Sequence, residues 1–358
     1  MLSRRNTTEP FDRFPPRLNK AKRKGHDIDT KGIHANNPSS IFASFKRKKI
    51  QEVEEKPDDL KAKFIEMDAE NKRQMQQVPC VEFGRFEIKT WYPSPYPKAF
   101  YPHDKLFVCE SCLGYTSTKR LLEHHRADEC DLAKKRPPGR KVYDEMLEDS
   151  STLTLIEVDG KTDALYCQNL CLFAKLFMDQ KTLYFDVSLF WFYILCVEDK
   201  DGVHPVGYFS KEKENPDQYN LSCIVVFPPY QRNGNGSLLI SLSYEITKRE
   251  QTVGTPEKPL STLGRAAYIE YWRYVLLTQL SKCNSKSVSI QKLSYATGIM
   301  ACDLLETFKE CNGLLAETKK NTLVIHEAIL QTQLEVLRPL RVCQPRQLKW
   351  KPSAKPSR

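Results

Sequence analysis

Residues Leu221 to Gly236 read Leu-Ser-Cys-Ile-Val-Val-Phe-Pro-Pro-Tyr-Gln-Arg-Asn-Gly-Asn-Gly, and this run limits the fold more than any other. Leu221 to Phe227 is short, apolar and β-branched, which favours a buried strand over a helix. Pro228 and Pro229 cannot donate to a ladder, so the strand stops there. Past the two glycines, Leu238, Leu239, Leu242 and Ile246 recur on one face of a helix. The pattern is strand, glycine loop, helix. Such a loop aims main-chain N–H groups and a helix N-terminus at one point, which suits a pyrophosphate. Two glycines serving only as tight turns would also satisfy the pattern, and by residue type alone both readings stand.

At 358 residues and 40% hydrophobic content the chain can bury one large or two modest domains. No apolar run approaches the roughly eighteen residues of a membrane span. The N-terminus carries charges and prolines where a signal peptide needs an apolar stretch. Twelve cysteines without framework spacing point to reduced thiols and an intracellular setting. A net charge of +10 fits an acidic partner such as chromatin but does not identify one. Residues 1–77 form a polar, basic tail with two clusters, Lys20-Ala-Lys-Arg-Lys24 and Lys46-Arg-Lys-Lys49, which read as nuclear import signals or a nucleic-acid contact and equally as a merely solvated tail. A linker helix is expected after Pro57, to about Met75.

Ordered structure is expected from about Val81. Val81 to Tyr92 alternates and is aromatic, which predicts strands joined at Gly84. Cys109-Glu-Ser-Cys112, then His125 and Cys130, has metal-ligand spacing. Two thiolates two residues apart can share one tetrahedral Zn²⁺, with an imidazole and a third thiolate closing the shell. His124 is a rival to His125. A closed four-ligand site leaves no position for chemistry and serves folding. Leu153 to Asp159 and Ala164-Leu-Tyr-Cys predict a hairpin around Asp159-Gly160, followed by a helix over 168–178. Cys167 and Cys171 lack further ligands and read as core residues. Phe190 to Val197 predicts a strand buried on both faces, and Val206 to Lys211 pairs back on it, in a mostly antiparallel sheet that ends at the glycine loop.

Gln231-Arg232-x-Gly-x-Gly after a strand closed by Pro-Pro resembles motif A of the acetyl-CoA-dependent N-acetyltransferases. The longer match, Asn220-Leu-Ser-Cys-Ile…Pro-Pro-Tyr-Gln-Arg…Ser-Tyr-Glu with Trp91-Tyr-Pro-Ser-Pro-Tyr-Pro97, resembles the MYST family of histone lysine acetyltransferases from about Val81 to Lys351. The resemblance implies an α/β (α+β) fold: an acetyl-CoA N-acyltransferase (GNAT-like) core over 150–280, a C2HC zinc finger over 107–132, and a winged-helix-like lobe over 281–350, with a tail at 351–358. It implies acetyl-CoA as co-substrate and structural Zn²⁺. Its catalytic glutamate falls on Glu257, in Gly-Thr-Pro-Glu-Lys-Pro-Leu-Ser, and its active-site cysteine on Cys223. Without the motif, Glu257 between two prolines is a surface-loop residue. Cys223 either carries the acetyl group or lines the pocket while the amine attacks directly; a thiol in an apolar strand forms little thiolate, which favours direct attack. Main-chain groups of Ile224, Val225 and Val226 are implied to meet the pantetheine arm, with Gln231, Arg232, Asn233, Gly234, Asn235, Gly236 and Ser237 at the pyrophosphate and Ser261 also on the cofactor. Lys181, otherwise a loop lysine, falls where the family's enzymes acetylate themselves.

Departures from the family pattern are Asn233, Asn235 and Ser237, which cost the loop two cations, Glu270 in place of a serine, and four rather than three residues between His125 and Cys130. Tyr166-Cys-Gln-Asn-Leu-Cys and Pro205-Val-Gly-Tyr-Phe-Ser-Lys-Glu-Lys-Glu resemble the MOF-like branch. That implies a nuclear enzyme acting on a lysine of the histone H4 tail, or on H3/H4 in chromatin, within a multi-subunit complex. Ser287 onward reads helix, turn, helix, hairpin. As bare pattern it is a DNA reader, but acidic Asp303, Glu306 and Glu310 discourage groove insertion. Two other classes stand beside the enzyme. One is a chromatin module that keeps the fold without efficient transfer; the other is a DNA-binding zinc-finger regulator, which a steep salt dependence would reveal.

Overall fold

A computed structural model describes residues 77–130, 136–179, 186–283, 287–319 and 322–352. The basic clusters, the linker helix after Pro57 and Lys181 lie outside them. The first described layer is a four-stranded sheet of β1 (Cys80–Phe83), β2 (Phe86–Lys89), β3 (Lys105–Val108) and β4 (Tyr115–Thr116) in the order β2-β1-β3-β4. The β1–β2 hairpin turns at Gly84-Arg85, as the alternation predicts, with Gly84 at φ 59°. Thr118 caps α1 (Lys119–His124), its hydroxyl accepting from the Leu121 N–H.

The second layer is an entirely antiparallel five-stranded sheet, β10-β8-β7-β6-β5. Its strands are β5 (Arg140–Met146), β6 (Thr152–Asp159), β7 (Phe190–Asp199), β8 (Gly202–Glu212) and β10 (Cys223–Val226). Phe192 to Cys196 are buried in succession, so both faces of β7 are covered. Helix α2 (Ala164–Lys175) sends Phe173 against Phe83 and Phe227, with ring centroids 4.6 and 4.8 Å apart, and so joins the first sheet to the end of β10.

Two expectations change. Asp159-Gly160 is not a hairpin: Ala164-Leu-Tyr-Cys opens α2, four residues ahead of the predicted start. Gly160 is there because the chain passes close by; a Cβ on it would stand 1.9 Å from the Val187 carbonyl oxygen. The predicted strand over 221–227 is also divided. β9 (Tyr219–Leu221) leaves the large sheet to pair in parallel with β11 (Thr255–Pro256), while β10 stays in it.

Helix α3 (Asn235–Arg249) is buried on more than its predicted face. Leu238, Leu239, Leu242 and Ile246 pack on the sheet side, and Ile240 and Tyr244 enter a second core with Tyr268, Trp272 and Leu276 of α4 (Thr262–Ser281). There the Trp272 Nε1–H donates to the Tyr244 hydroxyl at 2.8 Å. The same core takes in β12 (Ser287–Ser289), α5 (Ile290–Thr297), α6 (Ala301–Glu310), β14 (Thr322–Ile325) and α7 (Glu327–Glu335), and β13 (Leu315–Lys319) pairs antiparallel with β14, so the predicted helix-turn-helix and hairpin are both present. Among the described residues no helix is long and apolar enough to cross a membrane.

The last described segment straps back over the core. The Lys349 N–H donates to Val142 O at 2.7 Å, and Arg249 Nη1 donates to Trp350 O at 2.7 Å. Trp350 is buried and its indole N–H donates to the Glu157 carboxylate at 2.5 Å. Trp350→Ala should therefore cost about 3–5 kcal/mol of stability, read as a lower urea midpoint at unchanged m-value.

Candidate active site

The pairing of β9 with β11 creates the site. Tyr219 stands opposite Thr255 and Leu221 opposite Pro256, and the Glu257 N–H donates to Leu221 O at 2.9 Å. The sequence from 255 is thereby laid beside the strand that continues into Cys223. Glu257 and Cys223 then line one cleft of about 430 Å³, with Ser210, Ile224, Ser261 and Tyr268. Glu257 is exposed to solvent in that cleft and Cys223 is half-buried, not sealed in the apolar strand expected from sequence. The Cys223 N–H donates to the Ser210 hydroxyl at 3.2 Å. Ser261 caps α4, its oxygen accepting from the Gly264 N–H at 3.0 Å, so its own proton is left to donate into the cleft.

Among the described residues β10 is an edge strand, paired only with β8. The Phe227 N–H donates to Val206 O on β8 at 2.9 Å. Antiparallel alternation then turns the main-chain groups of Ile224 and Val226 to the open edge, where Val226 O accepts from Gln231 Nε2 at 2.8 Å. Val225, between them, faces β8. An extended ligand laid along this edge would meet the main-chain groups of Ile224 and the Val226 N–H, as a further strand would.

Beyond β10 the chain turns through Pro228–Tyr230, and Arg232 and Gly234 take positive φ, 64° and 75°. The first bond of the α3 ladder runs from the Leu238 N–H to Gly234 O, leaving the N–H groups of Asn235, Gly236 and Ser237 outside it. A Cβ at Gly236 would meet nothing within 4 Å, so the loop is open there. The loop holds Gln231 to Ser237 near one helix start, with one correction: the Asn235 side chain is buried. Its Nδ2 donates to Tyr230 O at 2.9 Å, so only its backbone faces a ligand. Its Oδ1 accepts from Arg341 Nη1 at 3.4 Å. Arg341, 106 residues on, packs on Gly234 and returns a cation to a loop that the sequence shows losing two. No local signal could have found it; nor could Asp303 be found, whose buried carboxylate accepts from Lys258 Nζ at 2.9 Å.

The metal-ligand spacing converges as expected. The donor atoms of Cys109, Cys112, His125 and Cys130 lie within 4.8 Å of one another. Tetrahedral Zn²⁺ with bonds of about 2.0–2.3 Å needs donors roughly 3.5–3.8 Å apart; Cys112 Sγ and His125 Nε2 are already 3.1 Å apart. Three soft thiolates and one imidazole fit structural Zn²⁺ and leave no open position. The hydrogen bond between the two thiols lowers Cys109 and raises Cys112, so without a metal the pair shares a proton that Zn²⁺ would displace. His125 is the histidine that joins the thiols: its side chain is 19% exposed, while His124 is 53% exposed and turned to Asp128 and Glu129. The extra residue before Cys130 is absorbed by a π-turn over His125–Glu129, closed by the Cys130 N–H to His125 O at 2.8 Å.

A model of the MOZ/SAS family matches residues 136–347, and one of the MYST family zinc finger domain matches residues 75–130. The chain is 44% identical over 311 residues to the MYST-like histone acetyltransferase 1 of Oryza sativa subsp. japonica, covering 86% of this chain and 67% of that protein. It is 48% identical over 250 residues to histone acetyltransferase of the MYST family 1 of Arabidopsis thaliana, covering 68% of this chain and 54% of that one. With histone acetyltransferase MOF of Drosophila melanogaster it shares 41% identity over 273 residues, 76% of this chain and 32% of the fly protein. The chain thus spans about two thirds, about half and about one third of these relatives.

Proposed function

The chain belongs to the MOZ/SAS family and carries the MYST zinc finger, and from that premise we propose that it transfers acetyl from acetyl-CoA to the side-chain amine of a histone-tail lysine. The observation that carries this reading is the meeting of Glu257 and Cys223 in one cleft beside the open edge of β10. A solvated lysine amine has a pKa of about 10.4 and is almost wholly protonated near neutrality, so transfer needs a base. Glu257 takes that role, accepting the ammonium proton so that the neutral amine attacks the thioester carbonyl directly. The C–S bond then breaks, and coenzyme A leaves as a thiolate that takes up the second amine proton. Cys223 lines the pocket. The pantetheine arm lies along Ile224 to Val226, and the pyrophosphate meets the N–H groups at the head of α3 with Arg341 beside them.

In this reading the five-stranded sheet with α2 and α3 is a GNAT-like core, and residues 287–335 form a winged-helix-like lobe that supports the cleft. The MOF-like segments favour a lysine in the N-terminal tail of histone H4, a nuclear setting and partner subunits that direct the enzyme to chromatin. Lys181 is the site of self-acetylation. Direct DNA contact is not needed for any of this.

The test is incorporation of radiolabelled acetyl into H3/H4 tetramers by the full chain, against Glu257→Gln. Incorporation by the wild type alone supports the enzyme. Coenzyme A binding without incorporation, even with partner subunits, supports the second reading, a chromatin module that keeps the fold; Asn233 and Ser237 motivate it and Arg341 speaks against it. If Arg341 serves the phosphates, Arg341→Ala should raise the KM for acetyl-CoA about tenfold, the equivalent of ~1.4 kcal/mol, with kcat little changed, as titration with acetyl-CoA would record.

A further inference from the structure

Asp303 lies in the first turn of α6 and is wholly buried. A carboxylate in such a place must be paired or stay costly. The helix N-terminus favours its charge, and one cation reaches it: Lys258 Nζ donates to its Oδ1 at 2.9 Å from 45 residues earlier in the chain. Among the described residues Oδ2 has no hydrogen-bond donor. The other acids of α6 are occupied elsewhere, since Arg265 of α4 takes both Glu306 and Glu310. The Lys258 side chain is 45% exposed and runs from the rim of the cleft into the interior. The hydrogen bond it donates to Asp303 holds its ammonium above the ordinary lysine range.

Lys258 directly follows Glu257. The Glu257 N–H is bound to Leu221 O on the sheet side, and the next side chain is bound to α6 on the other. Two anchors on different cores therefore bracket the carboxylate that faces the cleft. A general base acts only within hydrogen-bond reach of its proton, and a misplacement of about 1 Å costs roughly a hundredfold. We propose that Asp303 is a positioning residue for acetyl transfer: through Lys258 it ties the Glu257 loop to the C-terminal helices and fixes where the base stands. The proposal rests on the acetyltransferase reading above and deepens it.

The experiment is steady-state kinetics of the full chain with acetyl-CoA and an H4-tail peptide, for wild type, Asp303→Asn, Lys258→Met, the double variant and Lys258→Arg. Circular dichroism of each variant gives the folded fraction, and hydrogen exchange is followed over residues 254–261. Each single substitution should lower kcat about ten- to a hundredfold with the KM for acetyl-CoA within about twofold. The double variant should be no worse than the poorer single, because both remove one link. Lys258→Arg should keep most of the activity, and exchange over 254–261 should quicken in both singles. Should Asp303→Asn fail to fold, Lys258→Met on the exposed rim decides alone. Unchanged kcat in Lys258→Met, additive losses, or losses that only follow the folded fraction overturn the proposal while the enzyme reading stands. A wild type that neither binds coenzyme A nor turns over overturns both.

Discussion

Glu257→Gln should lower kcat for acetyl transfer by about 10²–10⁴-fold, with coenzyme A binding unchanged. The amide keeps the size and most of the polarity of the carboxylate, and the loop is fixed by main-chain bonding to Leu221, which the substitution leaves alone. What disappears is the group that accepts the proton. The pH profile supplies a second signature. Without a base, only amine that is already neutral can attack, so the residual rate should climb about tenfold per pH unit towards the substrate lysine's pKa of about 10.4. The wild-type profile should be flatter over the same range. Cys223→Ser is the contrast: if the amine attacks the thioester directly, the loss should stay within about tenfold, whereas a covalent route through the thiol would bring the two variants level. Quench-flow trapping of an acetyl-enzyme in Glu257→Gln would likewise speak for the covalent route.

Removing zinc should have the largest effect on stability. Structural Zn²⁺ sites contribute about 10–16 kcal/mol to zinc-finger peptides near neutral pH, and here the ligands close the region between β3 and the π-turn. The purified chain should hold one zinc per molecule by elemental analysis. Cys109→Ser or prolonged chelation should lower Tm by at least about 10 °C. His124→Ala should leave zinc content and Tm unchanged while His125→Ala lowers both, because His125 alone faces the thiols. Acid should release the metal, since protons compete for the thiolates and the imidazole. The damage should not stay local. Glu110, between the first two cysteines, meets His204 of β8 at 3.0 Å, and Phe83 packs on Phe173 and Phe227. Loss of the knuckle should therefore loosen the approach to β10 and weaken coenzyme A binding. Zinc-free protein with an unshifted melting curve would show the site to be ornamental.

How far a feature could be read from the chain followed how local its physics is. Strand periodicity, the proline stop and the glycines before an amphipathic helix announced β10, the loop and α3, because each depends on neighbours within a few residues. Ligand types at fixed spacing announced the metal site in the same way. The misreading at Asp159-Gly160 has the opposite character: a glycine forced by close approach to the Val187 carbonyl looks, in sequence, like a glycine needed for a turn. The run from Leu221 to Phe227 gave no local sign that β9 would leave for β11, yet that departure brings Glu257 to the cleft.

By itself, then, the sequence determined the element types, the donor set for zinc and the family, all of which rest on short-range geometry and residue chemistry. Tertiary structure alone decided that His125 rather than His124 faces the thiols, that the Asn235 side chain turns inward, that Arg341 reaches the loop and that Asp303 holds Lys258. Those choices depend on which distant side chains arrive at one place once two cores close around α3. Contact between residues tens of positions apart leaves no periodicity in the chain from which it could be read.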